Sequence, residues 1–321
     1  MLIFYGIDLA PPTRAFLQSL PKAELHLHLE GSLEPGTLAE LDASVDEAEA
    51  RARYNACADF AGFIEAFKWA VSYLRSPEDY ALAARRLFER LASENVRYAE
   101  VTLSAGVVLW KQLDFGRVYD AVSREADRAP MPVYFVLDSI RHFGAEQAMS
   151  VARLAAERVE DRVVAFGIGG DEVRGPAEWF GEVFAFCRSR GLRLVPHAGE
   201  NTNAQAVWAA LAIGADRIGH GIRAIEDPKL VAHLAERRIP LEISITSNVV
   251  TGSVPSLDTH PVRRLYDAGV PIILNTDDPA MFATTLTGEY LVAAEQFGFT
   301  GGELEALAAA SFGWGFRSQK A

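Results

Sequence analysis

The chain has 321 residues, of which 50% are hydrophobic and 23% are charged, and its formal net charge is −12. This length and apolar content suffice for a large core, and the negative charge argues against nucleic acid or an anionic membrane surface as a partner, because both would be repelled. The two cysteines, Cys57 and Cys187, lie far apart and outside any CxxC pattern, which indicates a reducing compartment and argues against a thiolate zinc site.

The first residues of the chain do not have the pattern of a signal peptide. Residues 1–5 are apolar but few, and no lysine or arginine precedes Arg14. No run in the sequence approaches the roughly 20 apolar residues of a membrane-spanning helix. We therefore predict a cytoplasmic protein, and we make no prediction of its oligomeric state.

The first predicted strand contains two histidines one residue apart, His26 and His28. On a β-strand, residues i and i+2 point to the same face, so an extended segment directs both imidazoles to one side. The flanking Leu25, Leu27 and Leu29 should then share the opposite face and pack against helices. Neutral imidazole is the commonest metal ligand in proteins, so this strand predicts half of a metal site.

A long helical region follows this strand. Residues 32–41 carry the start signals of a helix, and residues 60–74 have an apolar stripe at the i, i+3, i+4, i+7 spacing of an amphipathic helix. Residues 79–91 predict a further helix, and residues 96–103 predict the second strand. This is the longest gap between predicted strands, so we expect extra helices beside the mouth of the fold.

Strands and helices then alternate at short intervals. The further predicted strands are residues 133–138, 163–169, 192–197, 217–219, 241–245 and 270–275. The helices predicted among them are residues 145–159, 177–190, 203–213, 230–237 and 262–268, with more helix after residue 300.

Eight short apolar strands that alternate with helices indicate a parallel sheet covered on its outer face. Eight such units predict an α/β fold, a (β/α)8 TIM-type barrel with extra helices inserted between the first two strands. The alternative is an open doubly wound sheet, but its glycine fingerprint after the first strand is absent. We see no repeat, linker or low-complexity segment, so we predict a single domain over residues 1–321.

Several residues with site chemistry follow the predicted strands at their carboxyl ends, where the active sites of such barrels lie. They are His26, His28, Gly170, His197, Glu200, His220, Asp277 and Asp278. Three of these histidines and one aspartate suit a single zinc ion, with Fe²⁺ or Mn²⁺ as alternatives. The candidate ligands are His26, His28, His197 and Asp277. Because adjacent residues at a strand end point to opposite sides, we expect Asp277 to bind the metal and Asp278 to face a substrate.

The other three histidines are His142, His233 and His260. His233 falls on a helical pattern, and His260 precedes Pro261 in a loop. An isolated histidine is more often a satisfied core or surface residue than a functional one, so we predict no catalytic role for these three.

Five short segments, in order along nearly the whole chain, carry a recognisable pattern. They are residues 21–31 (PKAELHLHLEG), 170–172 (GDE), 197–200 (HAGE), 218–221 (IGHG) and 275–279 (NTDDP). Together they resemble the adenosine deaminase family of the amidohydrolase superfamily of metal-dependent barrels. The resemblance implies hydrolytic removal of the 6-amino group of a purine nucleoside with release of ammonia. The other type of zinc deaminase needs a Pro-Cys-x-x-Cys motif, which this sequence lacks.

The resemblance also implies a role for each matched residue. The residues that match the zinc ligands of the family are His26, His28, His197 and Asp277. Glu200 matches the acid that protonates purine N1, and His220 matches the histidine that orients and helps deprotonate the zinc-bound water. Asp278 matches the carboxylic acid that meets N7, and Gly170 matches the glycine whose N–H faces N3. The residues that match an apolar helical wall beside the pocket are Phe60, Phe63, Ile64 and Phe67.

One matched position departs from the pattern of the adenosine-specific members. They have Asp after His-x-His-Leu, where it holds the ribose hydroxyl, but this chain has Glu30. The extra methylene moves the carboxylate by on the order of 1 Å, which suggests altered substrate binding. Residues 60–69, 76–80 and 103–110 look most like aminodeoxyfutalosine deaminases of menaquinone synthesis. We therefore predict that substrate, with adenosine and then adenine as alternatives.

Two other classes of function stay open at this point. A different amidohydrolase reaction would use the same metal ligands but would have no need for Glu200 and Asp278. A catalytically silent purine-binding protein would usually have lost a ligand, whereas all the matched positions are filled here. Both classes are therefore disfavoured.

Overall fold

The computed structural model describes residues 11–317, so residues 1–5, considered above as a possible signal, lie outside the described part. Eight strands form one parallel sheet in the order of the sequence. They are β1 (Lys22–His28), β2 (Val96–Leu103), β3 (Val133–Ile140), β4 (Val163–Gly169), β5 (Arg193–Ala198), β6 (Ile218–His220), β7 (Leu241–Ile243) and β8 (Ile272–Leu274). A parallel bridge between Leu27 and Asp277 joins the last strand to the first. The predicted (β/α)8 barrel is confirmed.

Helices cover the outside of the barrel. The α-helices are α1 (Arg14–Ser19), α2 (Pro35–Leu41), α3 (Glu47–Asn55), α4 (Phe60–Val71), α5 (Pro77–Ser93), α6 (Ala105–Trp110), α7 (Phe115–Arg128), α8 (Ala145–Ala156), α9 (Gly181–Ser189), α10 (Ala204–Ala212), α11 (Pro228–Arg237), α12 (Ile245–Val250), α13 (Val262–Asp267), α14 (Leu286–Phe297) and α15 (Gly301–Trp314). Four of them, α2 to α5, lie between β1 and β2, as expected. Within residues 11–317, no helix is both long and apolar enough to cross a membrane.

The helices that the sequence analysis did not identify include α1, α6, α7, α12 and α14. Helix α7 is the clearest omission, because Asp114 caps its N-terminus and its buried residues follow a helical period. The strand predicted over 241–245 ends at Ile243, because α12 begins two residues later. The helix predicted over 177–190 begins instead with a 3-10 turn and becomes α-helical at Gly181.

A bulge in β1 changes the predicted packing of its leucines. The backbone N–H groups of Leu25 and His26 both donate to Asn275 Oδ1, at 2.9 and 3.1 Å, and the pairing with β2 shifts between Glu24 and Leu27. Leu27 therefore packs in the large core that surrounds the barrel, whereas Leu25 packs in a separate small cluster. The prediction that all three leucines share one face is wrong for Leu25.

A buried group of charges links strands across the inside of the barrel. The Arg217 guanidinium contacts Glu100 at 2.6 Å and Glu242 at 2.5 Å, and all three side chains are at most 1% exposed. Arg217 also donates to the Trp314 carbonyl oxygen and lies 3.9 Å from the centre of the Phe316 ring. Pairing and hydrogen bonding compensate the cost of removing these charges from water.

We predict that Gly167→Ala destabilises the barrel. A Cβ at this position in β4 would lie 2.9 Å from the Val195 carbonyl oxygen, a backbone atom of the neighbouring strand. Overpacking of this kind lowers the free energy of unfolding by about 1–3 kcal/mol. The midpoint of urea unfolding of the metal-free protein should therefore fall.

The matched control is Gly302→Ala, in helix α15, where a Cβ would meet no atom within 4 Å. Alanine restricts the unfolded chain, so this variant should gain up to about 1 kcal/mol. Equal unfolding midpoints for the two variants would contradict the packing argument.

Candidate metal centre and active site

The four candidate metal ligands come together at the carboxyl end of the barrel. They are His26 and His28 from β1, His197 from β5 and Asp277 from the turn after β8. All four are buried, and one potential ligand atom from each lies within 4.8 Å of those of the others. The structure thus places three nitrogens and a carboxylate oxygen around one point.

The distances in this group fit a metal ion better than direct hydrogen bonds. Asp277 Oδ1 lies 3.3 Å from His26 Nε2 and 3.4 Å from His28 Nε2. Two ligands at about 2.0–2.2 Å from a tetrahedral ion lie roughly 3.3–3.6 Å apart. Within the described residues, His26 Nε2 is buried and has no hydrogen-bond partner. A bound divalent cation would satisfy this nitrogen.

Hydrogen bonds behind the histidines fix the ring nitrogens that face the site. His26 Nδ1 lies 2.8 Å from Glu242 Oε2, and His197 Nδ1 lies 3.1 Å from the carbonyl oxygen of Ile168. Both Nδ1 atoms face acceptors, so each carries the hydrogen and each Nε2 keeps a free lone pair. Such contacts orient metal-binding histidines and raise their basicity.

Asp277 and Asp278 both line the cavity. Asp277 adopts a left-handed backbone with φ of 65°, so the alternation of an extended strand ends there. Ser247 donates a 2.6 Å hydrogen bond to Asp277 Oδ2 and fixes that carboxylate. Burial and the adjacent charge of Asp277 raise the pKa of Asp278 well above its ordinary value. The surroundings of the two carboxyl groups therefore differ, and the assignment of Asp277 to a metal and Asp278 to a substrate stays a prediction.

The loop after β5 is held by a buried carboxylate, that of Glu172. Its oxygens accept hydrogen bonds from the backbone N–H groups of Gly199, Glu200 and Asn201 at 2.8–3.1 Å, and from the Thr202 hydroxyl at 2.6 Å. Burial opposes ionisation of Glu172, but the hydrogen bond from Thr202, the nearby guanidinium of an arginine and the backbone N–H groups lower its pKa. The loop is thus fixed before any ligand binds.

The Glu200 side chain projects from this loop into the cavity. Burial raises its pKa well above the ordinary value, and the negative charges of Asp277 and Glu172 add to the shift. Glu200 is therefore placed to hold a proton at neutral pH.

A chain of hydrogen bonds defines the protonation of His220. The Val262 N–H donates to His260 Nδ1, so a neutral His260 carries its hydrogen on Nε2 and donates to Asn248 Oδ1. The Asn248 amide then donates to His220 Nδ1 at 3.1 Å. Burial lowers the pKa of His220 to about 4. The neutral ring therefore presents Nε2–H to the cavity, 3.6 Å from Glu200 Oε2.

These residues surround one cavity, which contains about 520 Å³ of space not filled by atoms, with the open solvent at its mouth included. It is lined by His28, Phe60, Phe63, Ile64, Phe67, Ser104, Asp138, Ile140, Gly169, Gly170, His197, Glu200, His220, Asp277 and Asp278. Helix α4 supplies Phe60, Phe63, Ile64 and Phe67, the apolar wall that the sequence analysis suggested. Gly170, with φ of 90°, closes the β4 side.

Glu30 lies next to Ser104, one of the residues that line the cavity. Glu30 is fully buried, and its Oε1 accepts a 3.1 Å hydrogen bond from the Ser104 N–H. Its other oxygen, Oε2, is buried and has no hydrogen-bond partner within residues 11–317, so the contact between Glu30 and a substrate stays a prediction.

Two residues with polar side chains that the sequence analysis did not select, Ser104 and Asp138, also line the cavity. Neither belongs to a local motif, and only the pairing of strands brings them to the site.

The three remaining histidines lie outside the metal group. His233 packs against Trp208, and His260 acts through Asn248 as described above. His142 lies beside Gly170, where a Cβ would approach its Nδ1 to 3.4 Å. His142 and His233 have no contact with the metal ligands among the contacts found in residues 11–317.

We predict that Glu242→Gln weakens metal binding. The amide NH₂ would face either the Nδ1–H of His26 or the Nε–H of Arg217, so one hydrogen bond must be lost. Loss of such an orienting partner lowers metal affinity by about 10–100-fold. Competition with a coloured chelator measures the change.

The matched control for this variant is Glu289→Gln. Glu289 is also fully buried, but it accepts hydrogen bonds from the Thr284 hydroxyl and the Thr246 N–H, away from the histidines. Its metal affinity should equal that of the wild type. If the two variants bind metal equally well, Glu242 does not tune the site.

Comparison with known proteins agrees with this geometry. The sequence model of the family described as adenosine deaminase matches residues 21–320. The chain is 41% identical to aminodeoxyfutalosine deaminase of Streptomyces coelicolor, covering 91% of this chain and 79% of that protein. It is 34% identical to adenine deaminase of Rhizobium leguminosarum bv. trifolii, covering 90% and 92%. The crystal structure of an amidohydrolase from Burkholderia ambifaria with bound zinc superposes with a TM-score of 0.87 at 26% identity, covering 98% of this chain and 90% of that one. The chain belongs to the adenosine deaminase family.

Proposed function

We propose that this protein catalyses hydrolytic deamination of a 6-aminopurine nucleoside, with aminodeoxyfutalosine as the best-supported substrate. The observation that carries the reaction is the arrangement of Glu200 and Asp278, two carboxyl groups with raised pKa values, beside the His/His/His/Asp group. Zinc is the best match for three imidazoles and one carboxylate, with Fe²⁺ and Mn²⁺ as alternatives. A divalent ion there would act as a Lewis acid and lower the pKa of a water that it binds.

Glu200 acts as the general acid in this proposal. Deamination at C6 is easier when the purine ring carries an extra proton at N1, because the ring then accepts electrons more readily. A carboxyl group with a raised pKa can keep that proton near pH 7 and deliver it. Asp278, protonated for the same reason, donates a hydrogen bond to N7. The Gly170 N–H faces N3.

His220 orients an oxygen nucleophile in this proposal. Its Nε2 carries the hydrogen while Asn248 donates to Nδ1, so the neutral ring is a hydrogen-bond donor towards the cavity. The family resemblance implies that His220 both orients the nucleophile and accepts a proton from it. A hydrogen on Nε2 supports the orienting role more than the proton-accepting role.

The apolar wall on α4 supports a nucleoside with an aromatic arm. The wall is formed by Phe60, Phe63, Ile64 and Phe67. A well-buried aromatic ring on that wall would gain roughly 1.5–3 kcal/mol, which adenosine and free adenine cannot obtain. The higher identity to aminodeoxyfutalosine deaminase than to the adenine deaminase supports the same substrate. Adenosine is the second candidate substrate and adenine the third.

We predict that Glu200→Gln lowers kcat by at least about 10²-fold, because an amide cannot transfer the proton to N1. The metal content should stay at one equivalent, since Glu200 is not one of the four ligands. Ammonia release and elemental analysis measure the two quantities. Glu226→Gln, an exposed glutamate paired with Arg223, serves as the control and should keep wild-type turnover. A Glu200→Gln enzyme with most of its activity would rule out this role.

The substrate proposal is tested with the purified enzyme and three compounds. We expect kcat/KM for aminodeoxyfutalosine to exceed that for adenosine by at least about tenfold, equal to about 1.4 kcal/mol, and adenine to be poorer still. Change in purine absorbance gives the rates. If adenosine is turned over equally well, the protein is an adenosine deaminase, and if adenine is preferred, the pocket selects the free base.

A further inference from the structure

The proposed contacts with the purine determine which part of the barrel its N9 substituent faces. Glu200 follows β5 and meets N1, Gly170 follows β4 and meets N3, and Asp278 follows β8 and meets N7. Around the purine, the order of atoms is N1, N3, N9, N7. Around the barrel, the strands between β4 and β8 on that side are β3, β2 and β1. A substituent on N9 therefore faces the ends of these three strands.

Asp138 in β3 is the charged side chain that lines the cavity on this side. The residue is 3% exposed, and within residues 11–317 its Oδ1 has no hydrogen-bond partner. A buried carboxylate oxygen without a donor is costly, so such groups in native proteins usually have a ligand, water or ion as partner.

The neighbours of Asp138 keep this part of the cavity open. Gly169 in β4 has no side chain, and a Cβ there would lie 3.2 Å from Asp138 Oδ2 and 3.6 Å from His197 Cε1. On the other side, Ser104 lines the cavity, and its N–H is held by the buried Glu30. A ligand group beyond N3 can therefore reach Asp138 without displacing a side chain.

A sugar hydroxyl matches this environment. It can donate a hydrogen bond to the unpartnered Asp138 Oδ1. The sugar is attached to N9, which is the next ring nitrogen after N3. We propose that Asp138 accepts a hydrogen bond from a 2′ or 3′ hydroxyl of the N9-linked sugar, and that this contact selects nucleosides over free bases. The orientation used here rests on the proposed purine deamination.

The test compares Asp138→Ala with the wild type on matched pairs of compounds. For turnover, the compounds are adenosine, 2′-deoxyadenosine, 3′-deoxyadenosine and adenine. In the wild type, removal of the recognised hydroxyl should lower kcat/KM at least about tenfold, and in Asp138→Ala the same removal should cost less than about threefold. Asp138→Ala should lower kcat/KM for adenine by less than about threefold.

Three further variants or measurements separate a contact from a general defect. Asp138→Asn keeps a carbonyl acceptor and should retain more nucleoside activity than Asp138→Ala. The neighbouring Ser139 donates to Gln147 at 2.6 Å, and we expect Ser139→Ala to match the wild type with every compound. Metal content and circular dichroism of Asp138→Ala should be unchanged.

Binding of the deaminated compounds tests the inference without turnover. Calorimetry should show that Asp138→Ala binds inosine at least about tenfold more weakly than the wild type, and hypoxanthine less than about threefold more weakly. If no aminopurine is deaminated but this binding difference is found, the proposed function fails and the inference stands. Equal losses for nucleoside and base overturn the inference. A larger loss of affinity for the base also overturns the inference, because it would mean that Asp138 accepts a hydrogen bond from the N9–H of the base.

Discussion

The Glu242 carboxylate is shared by two partners that belong to different parts of the molecule. One oxygen accepts from His26 Nδ1, and the other lies 2.5 Å from Arg217 Nε. Arg217 in turn pairs with Glu100 on the opposite side of the barrel. A buried charge that loses its partner costs about 3–5 kcal/mol, so none of these side chains can be removed cheaply. The orientation of a candidate metal ligand is therefore tied to the stability of the barrel.

Most of the fold and the candidate ligands could be predicted because their signals are local in sequence. Two histidines at i and i+2 share a face of a strand, and an aspartate directly after the last apolar strand must lie at its carboxyl end. The structure brings His26, His28, His197 and Asp277 together as that reasoning required. Helix α7 had an equally local signal in its capped, amphipathic sequence and could have been found in the same way.

Other residues could not be predicted, because their roles depend on which strands become neighbours. Asp138 and Glu242 are single acidic residues within apolar strands, and only the closed barrel reveals that one lines the cavity and the other supports His26. The position of Glu30 depends on a 3-10 turn that side-chain length alone does not indicate. Likewise, no local pattern indicates the left-handed backbone of Asp277, which ends the alternation of the strand. Local patterns identify candidate ligands more readily than the residues that support them.

The buried charge group around Arg217 is completed by residues near the end of the chain, and this affects how the protein folds during synthesis. The Trp314 carbonyl and the Phe316 N–H complete the hydrogen bonds of Arg217 and Glu100. These residues leave the ribosome long after His26, which is made near the start of the chain. Until then, the nascent chain holds charged groups that lack their final partners, although domains generally fold as units as they emerge. The buried charge group that supports His26 is therefore completed only when nearly the whole chain has been made.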